Sequence, residues 1–272
     1  MTEQIHQFGG TDSQMVGIYS PPQRFDKNRP AILFWNVGIN HRVGPQRQFV
    51  DLSRKLALKG FPAFRFDISG HGDSPSSQGG LSGEDQEIAD VQVAMDYLQA
   101  SLGVRKFILV GYCSSAASAH PTALKDERVK GLVMIDGHGY RTRRYWLHHA
   151  FNSLRRLGFY KGLFLRCLKL FKPKPDMLEE SFFRGFDSRE KIEDEIQTLV
   201  DRGVKMNYIY TSGITDYYNY KNQFYDMFPR LNPKNEIVLD YYGNADHLFT
   251  SIQAKEIYQH RIGQWLMQHF GG

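Results

Sequence analysis

Residues 107–118 read FILVGYCSSAAS, an apolar run that ends in glycine, tyrosine and cysteine and continues into a tract of small residues. A run of this kind is expected as a strand buried on both faces, and the Ser/Ala tract as a tightly packed helix. A strand that turns abruptly into a helix can hold a nucleophile in a strained conformation at the corner. It needs small residues two before and two after the nucleophile, so that strand and helix approach closely. Gly111 and Ser115 bracket Cys113 in that register. Centring the corner on Ser114 puts bulky Tyr112 at the first small position, and centring it on Ser115 overextends the strand. A lone cysteine is ordinarily a buried apolar filler. The residues downstream favour a nucleophile.

Working outward, AILFW (31–35), FPAFRFD (61–67), KFILV (106–110), KGLVMID (130–136), MNYIYTSG (206–213) and NEIVLDYY (235–242) read as strands. Between them, Phe49, Leu52 and Leu56 step by three and four. So do Ile88, Val91, Met95, Leu98 and Leu102, and both sets predict amphipathic helices. A further helix is expected around Ile257 to Phe270. Strand and helix in alternation predict a doubly wound, mostly parallel α/β sheet. Residues 138–205 interrupt the alternation and are expected as a helical lid. Residues 1–137 and 206–272 then form the core. In such folds ligands bind beyond the C-terminal ends of the strands.

Two further loops fall at that edge. After the penultimate strand comes Ser212-Gly213-Ile214-Thr215-Asp216, and after the last comes Gly243-Asn244-Ala245-Asp246-His247. Nucleophile, acid and histidine in this order make a triad of Cys113, Asp216 and His247. Asp136, at the end of VMID, is the alternative acid. The backbone N–H of Ser114 and the loop around Gly38 and Ile39 are the candidate oxyanion donors. Tyr112, His41, Tyr145, Trp146, Arg155 and Arg156 are candidate substrate contacts, and His71 is a second candidate for the mouth of the site.

The chain resembles the α/β-hydrolase superfamily over nearly its full length, with DISGHGDSP matching the loop after that superfamily's fourth strand. Within it, GINHRVGPQRQFV, FPAFRFDISGHGDS, GYCSSAAS and DHLFT are similar to bacterial exosortase-system-associated hydrolases. The GYC elbow is also similar to that of polyhydroxyalkanoate synthases. Those have a glycine where Ser115 stands and are much longer. The resemblance implies the α/β-hydrolase fold and an enzyme of ester or thioester bonds. The expected function is an acyl hydrolase, a thioesterase or esterase, working through a covalent acyl-enzyme on Cys113. An acyltransferase with the same triad, moving an acyl group from CoA or a carrier protein, is the first alternative. A non-catalytic acyl-binding or scaffold relative is the second.

Composition bounds the rest. The chain has 272 residues, 41% hydrophobic and 23% charged, which is ordinary for a globular protein. The apolar runs are too short to span a bilayer, and MTEQIHQFGG is not a secretion signal. Two cysteines, Cys113 and Cys167, predict no disulfide framework and a cytoplasmic protein. No spacing predicts a metal site, and no glycine-rich loop predicts a phosphate-bearing cofactor. The net charge of +5 comes from residues 141–175, which hold ten Lys/Arg and no Asp/Glu. That segment is expected either as a solvated face or as a contact for an acyl-carrier protein, CoA phosphates or an anionic membrane surface. Nucleic acid is not expected, because no recognition motif accompanies the charge.

Overall fold

The computed structural model describes residues 2–10, 13–156 and 187–271. Eight strands form one sheet in the order β1-β2-β4-β3-β5-β6-β7-β8. They are β1 (Gln4–Gly10), β2 (Ser13–Ser20), β3 (Ala31–Phe34), β4 (Ala63–Phe66), β5 (Phe107–Tyr112), β6 (Val129–Ile135), β7 (Lys205–Thr211) and β8 (Ile237–Tyr242). From β4 through β8 every pairing is parallel. The β1–β2 hairpin adds antiparallel along β4.

Both faces of the parallel part are covered, which is why its strands are continuously apolar. Along β5, Phe107 and Leu109 enter one core while Ile108, Val110 and Tyr112 enter the other. On one face lie α1 (Gln48–Leu58) and a C-terminal helix, Ile252–Phe270, which insert Phe49, Leu52, Leu56, Ile262 and Leu266. The other face is covered by α2 (Gly83–Leu102), α3 (Ser114–Lys125) and the helix Arg189–Asp201.

Helix α4 (Arg143–Arg156) follows β6, and Arg189–Asp201 is numbered α5 here. The expected lid over 138–205 included α5, but this helix packs on the sheet as the crossover from β6 to β7. Its Ile192, Ile196, Leu199 and Val200 are buried in the core. His120 of α3 meets Glu195 of α5 at 3.0 Å, tying the two helices together. A short α6 (Gln223–Met227) precedes β8, and the C-terminal helix is α7. Among the described residues, no helix is long and apolar enough to cross a membrane.

Candidate active site

The C-terminal ends of β5, β6 and β7 and the loop after β8 converge on one place. Cys113 leaves β5 with φ 53° and ψ −113°, a strained conformation for a residue with a side chain, and caps α3. The sharp corner depends on Gly111. A Cβ there would stand 2.7 Å from the Ala116 Cα and 2.9 Å from the Ala119 Cβ. Ser115 does more than fill the second small position. Its Oγ accepts from the Tyr112 N–H at 2.8 Å and donates to the Tyr112 carbonyl at 3.0 Å. A hydroxyl at that position satisfies strand-end backbone that glycine leaves bare.

Asp136, directly after β6, also has positive φ, 47°. Its buried carboxylate accepts from the Thr211 N–H at 2.7 Å, the Thr211 hydroxyl at 2.6 Å and His247 Nδ1 at 2.7 Å. Asp136, rather than Asp216, is therefore the carboxylate beside His247. The Asp216 side chain is exposed, because a 3-10 turn over Ser212–Ile214 carries it outward. Only its backbone carbonyl is engaged, by Arg141 Nε and by the Tyr145 hydroxyl. The end of β7 contributes Thr211 in place of an acid.

Several groups hold the His247 loop. Tyr112 donates its hydroxyl to the His247 carbonyl, and Gln48 Nε2 donates to the Leu248 carbonyl. Ala245 O accepts from the Ser212 N–H at 3.1 Å and from its hydroxyl at 2.8 Å. The loops pass so closely at Gly213 that a Cβ there would fall 2.1 Å from the His247 nitrogen. Burial works against a charged ring, but hydrogen bonds to Asp136 and Cys113 outweigh it and push the His247 pKa up to about 10. With Nδ1 on Asp136, Nε2 is the ring nitrogen that the carboxylate leaves unengaged.

The oxyanion candidates are also neighbours. Gly38 donates its N–H to the Ser114 hydroxyl at 2.7 Å, so that N–H is already engaged, and Ile39 stands 95% exposed at the loop tip. Ser114 opens α3, where a backbone N–H has no partner within its own helix. Sequence reasoning missed the buried Asp67, which pins this loop. It accepts from the Arg42 N–H at 2.7 Å, Asn36 Nδ2 at 3.0 Å and the Asp73 N–H at 3.1 Å, and it pairs with the Arg42 guanidinium. An aspartate closing the apolar run of β4 was the available signal.

The candidate substrate contacts fare differently. Tyr112 is fully buried and acts as a strut under the His247 loop. Tyr145 is also buried, with its hydroxyl on the Thr215 and Asp216 carbonyls. His41 is exposed and does not line the neighbouring cleft, whereas His71 does. Trp146 is 54% exposed, with the Arg141 guanidinium 5.5 Å from its ring centre. The side chains of Arg155 and Arg156, and everything from 157 to 186, including Cys167, lie outside the described residues.

The cleft that reaches Gly38 and Ser114 has a volume of about 490 Å³. A larger hollow of about 790 Å³, near Asp96, Gln99 and Lys106, lies at the opposite end of the strands from this chemistry. Among the described residues, no group of three or more His, Cys, Asp or Glu side chains is arranged to hold a metal ion.

A family model for the alpha/beta hydrolase fold matches residues 31–271. The chain belongs to the alpha/beta hydrolase fold family. Solved members share its architecture at low sequence identity. An esterase from Pyrococcus furiosus is 15% identical with a TM-score of 0.64, covering 100% of this chain and 92% of its own. A meta-cleavage product hydrolase from Pseudomonas fluorescens is 15% identical with a TM-score of 0.62, covering 97% of each. An esterase domain from a Rhodothermus marinus protein is 16% identical with a TM-score of 0.59, covering 100% of each. No curated protein matches the sequence at a significant level. In this alpha/beta hydrolase, the strand–helix corner after β5 carries Cys113, and the buried carboxylate beside His247 follows β6.

Proposed function

We propose that the protein is an acyl hydrolase using Cys113 as nucleophile, His247 as base and then acid, and Asp136 as the residue that orients the ring. One observation carries this reading: Asp136 binds His247 Nδ1 at 2.7 Å, and Cys113, held at φ 53° on a strand–helix corner, joins Asp136 in raising the pKa of the same ring. A buried filler needs neither the strain nor the partners.

In this mechanism the Cys113 proton passes to the free ring nitrogen of His247, and the thiolate attacks the acyl carbon. Negative charge moves to the carbonyl oxygen, where the Ser114 N–H at the head of α3 stabilises it. The bond to the leaving group breaks, and that group takes the proton from His247. The product is a thioester on Cys113. Water then gives a proton to His247 and attacks the thioester. Breakdown releases the acid and returns the proton to the sulfur. Asp136 keeps the proton on Nδ1 and stabilises the charged ring throughout. A thioester substrate exchanges like for like at the first step, so thioesters join simple esters as candidate substrates.

Intact-mass spectrometry after brief exposure to mixed acyl esters and thioesters tests the reading. The expected result is an acyl adduct on wild-type protein, lost in Cys113→Ala together with at least about 10³-fold of turnover. Free acid as product supports hydrolysis, whereas an acylated acceptor assigns the same residues to transfer. A Cys113→Ala protein that keeps its activity overturns the proposal.

A further inference from the structure

The loop after β3 meets the strand–helix corner through a side chain rather than across an open gap. Gly38 donates its N–H to Ser114 Oγ at 2.7 Å, and both residues line the cleft beside the corner. In the elbow arrangement of alpha/beta hydrolases, two backbone N–H groups bind the oxyanion, one of them from this loop. Here the loop's N–H is engaged by the residue next to the nucleophile.

The loop is built to hold it there. Asn36 Nδ2 donates to the Asn40 carbonyl at 3.0 Å, and the Asn40 N–H donates to the Val37 carbonyl at 3.0 Å. Asn36 Oδ1 accepts from the Ile68 N–H at 2.7 Å, and the Arg42 N–H is fixed on buried Asp67. Gly38 has φ 53°, with nothing within 4 Å of the place a Cβ would take. Glycine is therefore needed for the backbone conformation that puts this N–H on Ser114, not for room.

A serine hydroxyl has one proton and two lone pairs. One lone pair receives the Gly38 N–H, and the proton has no acceptor among the described residues. Ser114 is half-buried, so water can hold that proton at rest. A hydroxyl that accepts one hydrogen bond is a stronger donor of the next. Only Cα and Cβ separate the backbone nitrogen of a serine from its Oγ, so one oxygen can accept from both.

We propose that the Ser114 hydroxyl is the second oxyanion donor, with the Gly38 N–H acting behind it on Oγ instead of on the substrate. This rests on the acyl-hydrolase reading, because only attack at an acyl carbon creates the oxyanion. As the Cys113 thiolate attacks, the carbon–sulfur bond forms and the carbonyl π pair moves to oxygen. The hydroxyl exchanges water for that oxygen and keeps its proton. Charge on the oxygen then polarises a short chain that runs through Ser114 O–H to Gly38 N–H.

Two reactions at one sulfur test this. Intact-mass spectrometry with p-nitrophenyl acetate reads acylation, which passes through an oxyanion. Iodoacetamide alkylates by displacement at a methylene carbon and forms none. Peptide mapping distinguishes Cys113 from Cys167. Ser114→Ala is expected to slow acylation and lower kcat about 10²-fold, with KM and the alkylation rate each within about twofold of wild type. Ser114→Thr restores a hydroxyl and is expected within about threefold of wild type in acylation. Should the alanine variant fold poorly, Ser114→Gly serves with the same expected split. Acylation that is unchanged or faster in Ser114→Ala means that the freed Gly38 N–H takes the oxygen itself, and the inference is wrong. Equal slowing of acylation and alkylation means that the serine only supports the corner, and the inference is again wrong. Both results still place the acyl group on Cys113, so the acyl-hydrolase reading survives them. Turnover that persists in Cys113→Ala, or wild-type protein that acquires no acyl adduct, removes that reading and the donor with it.

Discussion

At the residue scale, two aspartates follow neighbouring strands but only Asp136 reaches His247, and a single-atom change separates their roles. Asp136→Asn keeps the shape but puts an N–H donor or a weaker acceptor against Nδ1, which favours the wrong tautomer. We expect a fall in kcat of about 10³- to 10⁴-fold, with Asp216→Asn close to wild type. Equal losses in the two variants would falsify the assignment. The same carboxylate also governs the titration of His247. The ring's pKa is raised from 6.5 to about 10, so it binds its proton more tightly folded than unfolded. Its contribution to stability is full below about pH 6.5 and disappears as pH rises through about 10. Ring nitrogen NMR of wild type should therefore find a midpoint well above 6.5, moving downward in Asp136→Asn. A wild-type midpoint near 6.5 removes the charged pair from the mechanism.

At the element scale, the parallel strands were legible because burial on both faces removes alternation, as in FILV and VMI. The β1–β2 hairpin was not, since β1 is an edge strand with Phe8 as its only buried residue. Helix α5 shows the same difficulty in a different form. Its apolar stripe announces that something covers it, and only the tertiary fold says that the sheet does. The strand–helix corner was readable from Gly111, Cys113 and Ser115, since close packing demands small residues at fixed spacing. The choice between Asp136 and Asp216 was not readable, because it depends on which carboxylate the assembled strand ends bring to His247, and no local pattern announces that Asp136 meets both Thr211 and His247. Tyr112 links this element to the histidine loop, so Tyr112→Phe tests its role as a strut. Losing the hydroxyl should lower kcat about three- to tenfold with KM unchanged. A rise in KM alone returns Tyr112 to the substrate contacts.

At the scale of the whole molecule, the active-site edge is one end of a sheet whose other margin is stapled by Glu3. That residue, just before β1, accepts from the Ser20 hydroxyl at 2.8 Å, from Arg54 of α1 at 2.6 Å and from Arg65 of β4 at 2.7 Å. Four elements meet on one carboxylate, and the Arg65 guanidinium it neutralises is 6% exposed. Burial works against the charge, but the hydrogen bonds from Arg54, Arg65 and Ser20 outweigh it and hold the Glu3 pKa down at about 2. A carboxyl with a depressed folded pKa stabilises above its ordinary value of 4.5 and loses that effect as pH falls toward 2. Glu3→Gln should accordingly lower Tm by about 2–4 °C at pH 7, with the difference from wild type closing as pH falls from about 4.5 toward 2. Thermal melts across that range check the sign. A gap that stays constant with pH would mean that the staple works by packing alone and that its charge contributes nothing to joining the hairpin to the sheet.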